Sequence, residues 1–183
     1  MFNQRTDPYY LAIRALARDG TLGPIRRVSW IITNWFRSDA YYASGSWRAT
    51  WRGEGGGVLL NQCPHNLDLF SWMFGQPRCV RAFCGFGRYH DIEVEDDVTA
   101  YLELPGGATA TFITSTGEAP GTNRLEVTAD NGRLVMEGDR LVFTENEVPT
   151  SEFCRTTKEN FAAPKTTERV LPSPATASST SAS

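Results

Sequence analysis

The sequence has 183 residues, with 18 Lys or Arg against 21 Asp or Glu and a net charge of −3. That length suits one domain or little more. With 40% hydrophobic and 21% charged residues, including five Trp, six Tyr and ten Phe, the chain can bury a core and is not disordered by composition. The slightly acidic balance argues against nucleic acid or an anionic membrane as the main partner, since both demand a basic surface. No stretch approaches the ~18 uninterrupted apolar residues of a membrane helix. The N-terminal MFNQRTDPYY lacks the charged-then-apolar layout of a secretory signal, which points to a cytoplasmic location.

Asp7-Pro8 reads as an N-cap followed by proline at the first helical position, with Leu11, Ala12, Ala15 and Leu16 as the apolar stripe and Gly20 as the stop. Residues 25–35 alternate through Val28, Trp30 and Ile32, as a strand does. A long aromatic and arginine-rich loop runs from Phe36 to about Glu54, longer than ordinary connections and therefore a candidate functional loop. Gly55-Gly56-Gly57 then leads into a helix starting close to Asn61 and ending at Gly75, with Leu60, Leu67, Phe70 and Phe74 as its buried face. Strand-like runs follow near 79–89, 97–104, 109–116, 123–129, 133–137 and 140–144. Pro105-Gly106-Gly107, Asp130-Asn131-Gly132 and Gly138-Asp139 separate several of them as turns. Such short connections predict an antiparallel meander. From Pro172 the chain contains only Pro, Ser, Ala and Thr, the composition of a disordered tail.

His65 is the focal candidate for chemistry. Asn61 lies four residues before it and Asp68 three after it, spacings that place side chains on adjoining parts of a helix surface. A histidine there can pass a proton near neutral pH, with Asn61 holding a substrate hydroxyl; the plainer reading is a histidine that only bonds a neighbour. Trp47-Arg48 and Trp51-Arg52, with Phe36-Arg37 and Tyr41-Tyr42 upstream, offer planar forks and ring faces for a sugar or cofactor. Equally, they can pack the loop by cation–π contacts, and binding of single-stranded nucleic acid is the weakest reading. The run HDIEVEDD, residues 90–97, reads as a solvated strand edge rather than a glycosidase pair or metal site. Cys63, Cys79, Cys84 and Cys154 have no metal-ligand spacing and read as buried, reduced thiols, so no metal is expected. The chain contains no G-x-G-x-x-G, Walker loop or G-x-S-x-G.

The stretch WRATWRGEGGGVLLNQCPHNLDLFSWMFGQP resembles the signature of the Gfo/Idh/MocA oxidoreductases, with W-R, a gap, G-G-G, and then the histidine and a later aspartate. IEVEDDVTAYLELPGGATATFITST and RLEVTADNGRLVMEG resemble that family's C-terminal sheet. The likeness spans about residues 1–150. It implies an α+β fold: an open, mainly antiparallel sheet with helices on one face. It further implies a division into residues 1–6, a remnant of the last strand of a dinucleotide-binding Rossmann domain; 7–149, the substrate and oligomerisation domain; and 150–183, an irregular tail. On this comparison the chain is truncated at both ends, and NAD or NADP is bound mainly by the domain that it lacks. By motif, His65 matches the histidine that exchanges a proton with the substrate hydroxyl. Asn61 falls where many members have Asp, and Asn cannot act as a base. Trp47 and Arg48 match the W-R beside cofactor and substrate, Asn3 and Arg5 face the nicotinamide, and Arg37 belongs to the same binding loop. Asp68 matches a structural helix position. The implied activity is hydride transfer between NAD(P) and a sugar- or cyclitol-like hydroxyl, with the isolated chain inactive and a homo-oligomer formed through the sheet face. The alternative is a non-catalytic sugar-binding or assembly module.

Overall fold

The computed structural model describes residues 3–171. In chain order the elements are α1 (Pro8–Arg18), β1 (Ile25–Ile32), α2 (Asp39–Ala43), α3 (Val58–Asn61), α4 (Pro64–Phe74), β2 (Cys79–Phe86), β3 (Glu95–Glu103), β4 (Thr109–Ser115), β5 (Asn123–Ala129), β6 (Gly132–Glu137), β7 (Arg140–Asn146), α5 (Thr150–Thr156) and β8 (Thr166–Leu171). Eight strands form one sheet in the order β2-β3-β4-β1-β5-β6-β7-β8. Neighbours are antiparallel except β1 and β4, which run parallel with Trp30 opposite Phe112. The predicted continuous meander is therefore interrupted. β4 and β5 are joined by a short segment, but β1 lies between them and pairs with both.

Alternating side chains on the strands face α1 and α4. Val28, Trp30 and Ile32 of β1 are buried with Phe112 of β4 and Leu125 and Val127 of β5. Trp30 anchors this layer: its ring lies 6.0 Å from Phe112, edge-on, and 5.9 Å from Tyr10 of α1, while its indole N–H donates to Asn123 at 3.2 Å. The N-cap of α1 is as expected, with Asp7 accepting the Tyr9 N–H at 2.8 Å. Its buried face differs from the predicted stripe. Tyr10 and Ile13 are inside, while Leu11 and Ala15 are exposed. The helix after the glycines also differs: it is two short helices, because Pro64 occupies the first position of α4 and cannot continue α3. The break rotates the buried face onto Val58, Leu69, Phe70 and Met73, leaving Leu60 and Leu67 exposed.

Among the described residues, no helix covers the opposite face of the sheet. It carries an ionic row, Arg27–Glu126–Arg124–Glu137, alongside the exposed Phe83 and Tyr101.

At the chain start, Asn3–Thr6 is a single 3-10 turn rather than a strand. Both sheet edges are occupied by β2 and β8, and the turn instead packs on α4 through Arg5. The segment from 150 is not irregular as expected. Asp130 accepts the Ser151 N–H at 2.9 Å and hydroxyl at 2.6 Å, which docks α5. β8 then adds to β7, Val170 opposite Val142. The predicted tail at residues 172–183 lies outside the described residues. Among the described residues no helix is long and apolar enough to cross a membrane.

Candidate functional site

The glycine triplet exists to bring the chain against β3. A Cβ on Gly57 would stand 1.9 Å from the Glu95 carbonyl oxygen, so only glycine permits the approach. Glu95 then accepts the N–H groups of Gly57 at 3.0 Å and Leu59 at 3.2 Å, capping the first turn of α3. Two residues after α3, Cys63, buried in the break between helices, contacts Thr114 of β4 at 3.1 Å. Burial pushes its thiol up to about 11, and Thr114 and Trp35 partly offset this. These anchors fix α4, whose first turn carries His65, against the sheet.

Asn61 and His65 thus belong to different helices rather than to adjoining turns of one. Asn61, at the end of α3, donates from its carboxamide nitrogen to Glu54, and its oxygen accepts from Gln62 at 2.8 Å. Glu54 also accepts the Ala49 N–H at 2.8 Å. The neighbouring Arg48 guanidinium lies 4.6 Å from both the Trp47 and Tyr41 rings and donates to the Tyr41 hydroxyl at 3.0 Å. Trp47, Arg48, Glu54 and Asn61 therefore form one connected assembly. Beside it opens a cleft of about 580 Å³ lined by residues that include Tyr42, Arg48, His90 and Glu93.

A second cluster lies along α4. Arg5 forms a two-pronged bond to Asp68, at 2.8 and 2.5 Å, one turn beyond His65. This bond raises the Arg5 pKa, with burial opposing it. Asn3 contributes a main-chain oxygen to the Thr6 hydroxyl at 2.7 Å. Arg37 is occupied within its own loop: it donates to the carbonyls of Trp35 and Phe36 at 3.1 and 3.0 Å and lies 5.1 Å from the Tyr41 ring. His65, Asn3 and Arg5 are not among the residues lining the cleft.

The acidic run is not a solvated edge. Asp96 is fully buried and accepts the N–H groups of Arg88, Tyr89 and His90 at 2.9, 2.7 and 3.1 Å. It also meets His90 Nδ1 at 3.1 Å, while Nε2 of that ring meets the Arg37 carbonyl at 2.9 Å. The acidic run thus holds the base of the 36–54 loop, because the tight turn at 88–90 directs three N–H groups inward that need an acceptor. Only Cys63 fits the reading of buried thiols; Cys84 and Cys154 are exposed, and all four are free. From the sequence, His90 and Asp96 are legible only as members of the run 90–97, which reads as a solvated edge, and Glu54 only as a residue of the signature stretch directly before the glycine triplet, with no role of its own.

The family model described as the GFO/IDH/MocA C-terminal domain matches residues 10–135, well over half of the chain. The chain belongs to the Gfo/Idh/MocA family. Among its relatives, the trans-1,2-dihydrobenzene-1,2-diol dehydrogenase of Bos taurus is 29% identical over 160 residues, covering 80% of this chain and 44% of that protein. The WlbA dehydrogenase of Bordetella pertussis, solved with NADH and UDP-GlcNAcA, superposes with a TM-score of 0.69 at 24% identity, over 75% of this chain and 42% of that one. A levoglucosan dehydrogenase solved with NADH and levoglucosan reaches 0.72 at 16% identity, over 93% of this chain and 46% of that one. These two likenesses show the fold, an open and mostly antiparallel sheet with a helical face. The Gfo/Idh/MocA chain spans less than half the length of these relatives.

The family implies NAD(P). The described residues fit its substrate end better than its phosphates. The glycine-rich turn that opens α3 has its Gly57 and Leu59 N–H groups taken by Glu95 and its Gly55 N–H taken by the Thr50 carbonyl, which makes it a poor cradle for a pyrophosphate. Arg48 and Trp47 present fork and ring surfaces beside the cleft.

Proposed function

We propose that this chain forms the substrate side of an NAD(P)-dependent oxidoreductase acting on a sugar- or cyclitol-like hydroxyl. The dinucleotide is held mainly by a separate domain, and the chain alone is inactive as a dehydrogenase. The observation that carries this reading is the Glu54–Asn61 bond, which ties the Trp47-Arg48 loop to the helix pair bearing His65. Residues that match the family signature but are scattered in sequence thereby share one assembly. NAD(P), when bound, supplies the hydride exchange. His65 exchanges a proton with the substrate hydroxyl, Asn61 orients that hydroxyl by hydrogen bonding, and Arg48 with Trp47 offers a fork and a ring face to the sugar. Asn3 and Arg5 stand toward the nicotinamide end, with Asp68 fixing Arg5.

Self-association through the uncovered sheet face belongs to the same reading and is favoured by Phe83, which is 82% exposed at that face. Phe83→Asp should shift the light-scattering mass toward the monomer; an unchanged mass removes this face from the assembly.

The division of labour is tested by titrating the chain with NADH and NADPH while following tryptophan quenching. The reading predicts no saturable binding to about 1 mM. Saturable micromolar binding would refute it, since the chain would then hold a dinucleotide site of its own.

A further inference from the structure

Glu54, directly before the glycine triplet, has no role assigned by the signature, yet the two halves of the site meet through it. Its Oε2 accepts the Ala49 N–H at 2.8 Å and its Oε1 accepts from Asn61 Nδ2. Asn61 Oδ1 in turn accepts from Gln62 Nε2 at 2.8 Å. These bonds fix a direction: position 61 turns its nitrogen toward 54 and its oxygen toward Gln62. Ala49 has a φ of 50°, left-handed for a residue that is not glycine, and such a conformation persists only where its surroundings impose it. The Glu54 bond to its N–H is one constraint and the Glu93 N–H on its carbonyl, at 3.3 Å, is another. Arg48, stacked with Trp47 and Tyr41, directly precedes this turn.

We propose that Glu54 is the positioning residue of this site: its carboxylate orients Asn61 and holds the turn that aims Arg48. The inference rests on the reading that Asn61 and Arg48 meet the substrate. It has a specific consequence, that the roles of positions 54 and 61 can be exchanged. In Glu54→Gln a carboxamide nitrogen faces the Asn61 nitrogen, donor against donor, if Ala49 keeps its bond. In Asn61→Asp two carboxylates face each other. In the double variant, which combines Glu54→Gln with Asn61→Asp, the carboxamide oxygen at position 54 can accept from Ala49. The carboxamide nitrogen there donates to the carboxylate at position 61, whose second oxygen accepts from Gln62. Every hydrogen bond is then restored with the charge moved by one side chain.

The experiment is a double-mutant cycle on the full chain, with thermal melting and the Arg48 Nε resonance of ¹⁵N-labelled protein as readouts. The Arg48 signal is assigned by its loss in Arg48→Lys. Each single variant should lower Tm by roughly 3–6 °C and displace the Arg48 signal by more than a line width. The double variant should recover more than half of the summed Tm loss and return the signal to its wild-type position. Additive losses, or an Arg48 signal unmoved by Glu54→Gln, would overturn the proposal. Should a single variant fail to fold, a folded double variant supports the exchange and an unfolded one overturns it. No substrate or cofactor enters the cycle. A restored Arg48 signal together with a failed dehydrogenase assay would sink the functional reading and leave the pair standing.

Discussion

Asp96→Ala should be among the most damaging single substitutions away from the aromatic core. The wild-type carboxylate is fully buried and accepts three main-chain N–H groups at 2.7 to 3.1 Å. It also contacts His90 Nδ1 at 3.1 Å. Hydrogen bonds to a charged group contribute about 1.5–3 kcal/mol each, and an orphaned buried donor costs about 1–3 kcal/mol. Relaxation of the turn and entry of water keep these from adding fully, so the net loss should be about 3–5 kcal/mol. For a chain of this size that lowers Tm by roughly 10 °C. Urea and thermal unfolding measure it directly. Asp97→Ala is the control, because its partner Arg88 is a surface side chain, and it should cost less than about 1 kcal/mol. A local readout follows from His90, whose ring joins Asp96 to the Arg37 carbonyl: freeing it should loosen the loop and raise acrylamide quenching of Trp47 and Trp51. A loss within about 1 kcal/mol of that of the Asp97 variant, with unchanged quenching, would refute the assignment of Asp96 as the loop's anchor.

Gly57→Ala should prevent folding or cost at least about 3 kcal/mol, because its Cβ would meet the Glu95 carbonyl at 1.9 Å. Gly106→Ala, at a φ of 85° with open space around it, should cost only about 1–2 kcal/mol; equal effects in urea unfolding would contradict the argument from close approach. Trp30→Ala removes a fully buried ring with two aromatic neighbours and should cost about 3–5 kcal/mol, read from the same unfolding curves. Burial pushes Tyr10 up to about 12 from an ordinary 10.0 and Cys63 up to about 11 from 9.0. In both cases the unfolded chain gives up its proton first. Stability is therefore full below about pH 9 and declines as pH rises toward about 12, with Cys63 acting before Tyr10. A urea midpoint that stays constant from about pH 8 to 11 would contradict that sign.

Much of the fold was legible because its signals are local. The alternation through Val28, Trp30 and Ile32, the Asp7-Pro8 cap and the glycine turns each act over a few residues, and each appears where expected. The insertion of β1 between β4 and β5 was not legible, because no local pattern states which distant strand will pair. β8 and α5 were missed for a related reason. Strand TTERVL is exposed throughout except at its last residue, so it lacks the alternation that marks a half-buried strand, and α5 is held by Asp130 from another hairpin. In the candidate site, the resemblance directed attention to Asn61, His65 and Arg48. It gave no account of Glu54 or Asp96, whose roles depend on where main-chain N–H groups point after folding. Nor could spacing alone reveal that Pro64 would divide Asn61 from His65.

The central claim is that this domain handles the proton in a hydride transfer. It is tested by joining the chain to the dinucleotide-binding domain of a relative and measuring NAD(P)-linked turnover over a panel of sugars and cyclitols, with and without His65→Ala. The account predicts turnover that falls at least about 100-fold in the variant, with its Tm and assembly unchanged. Turnover that survives His65→Ala intact would contradict the account and leave this domain as a binding or assembly module.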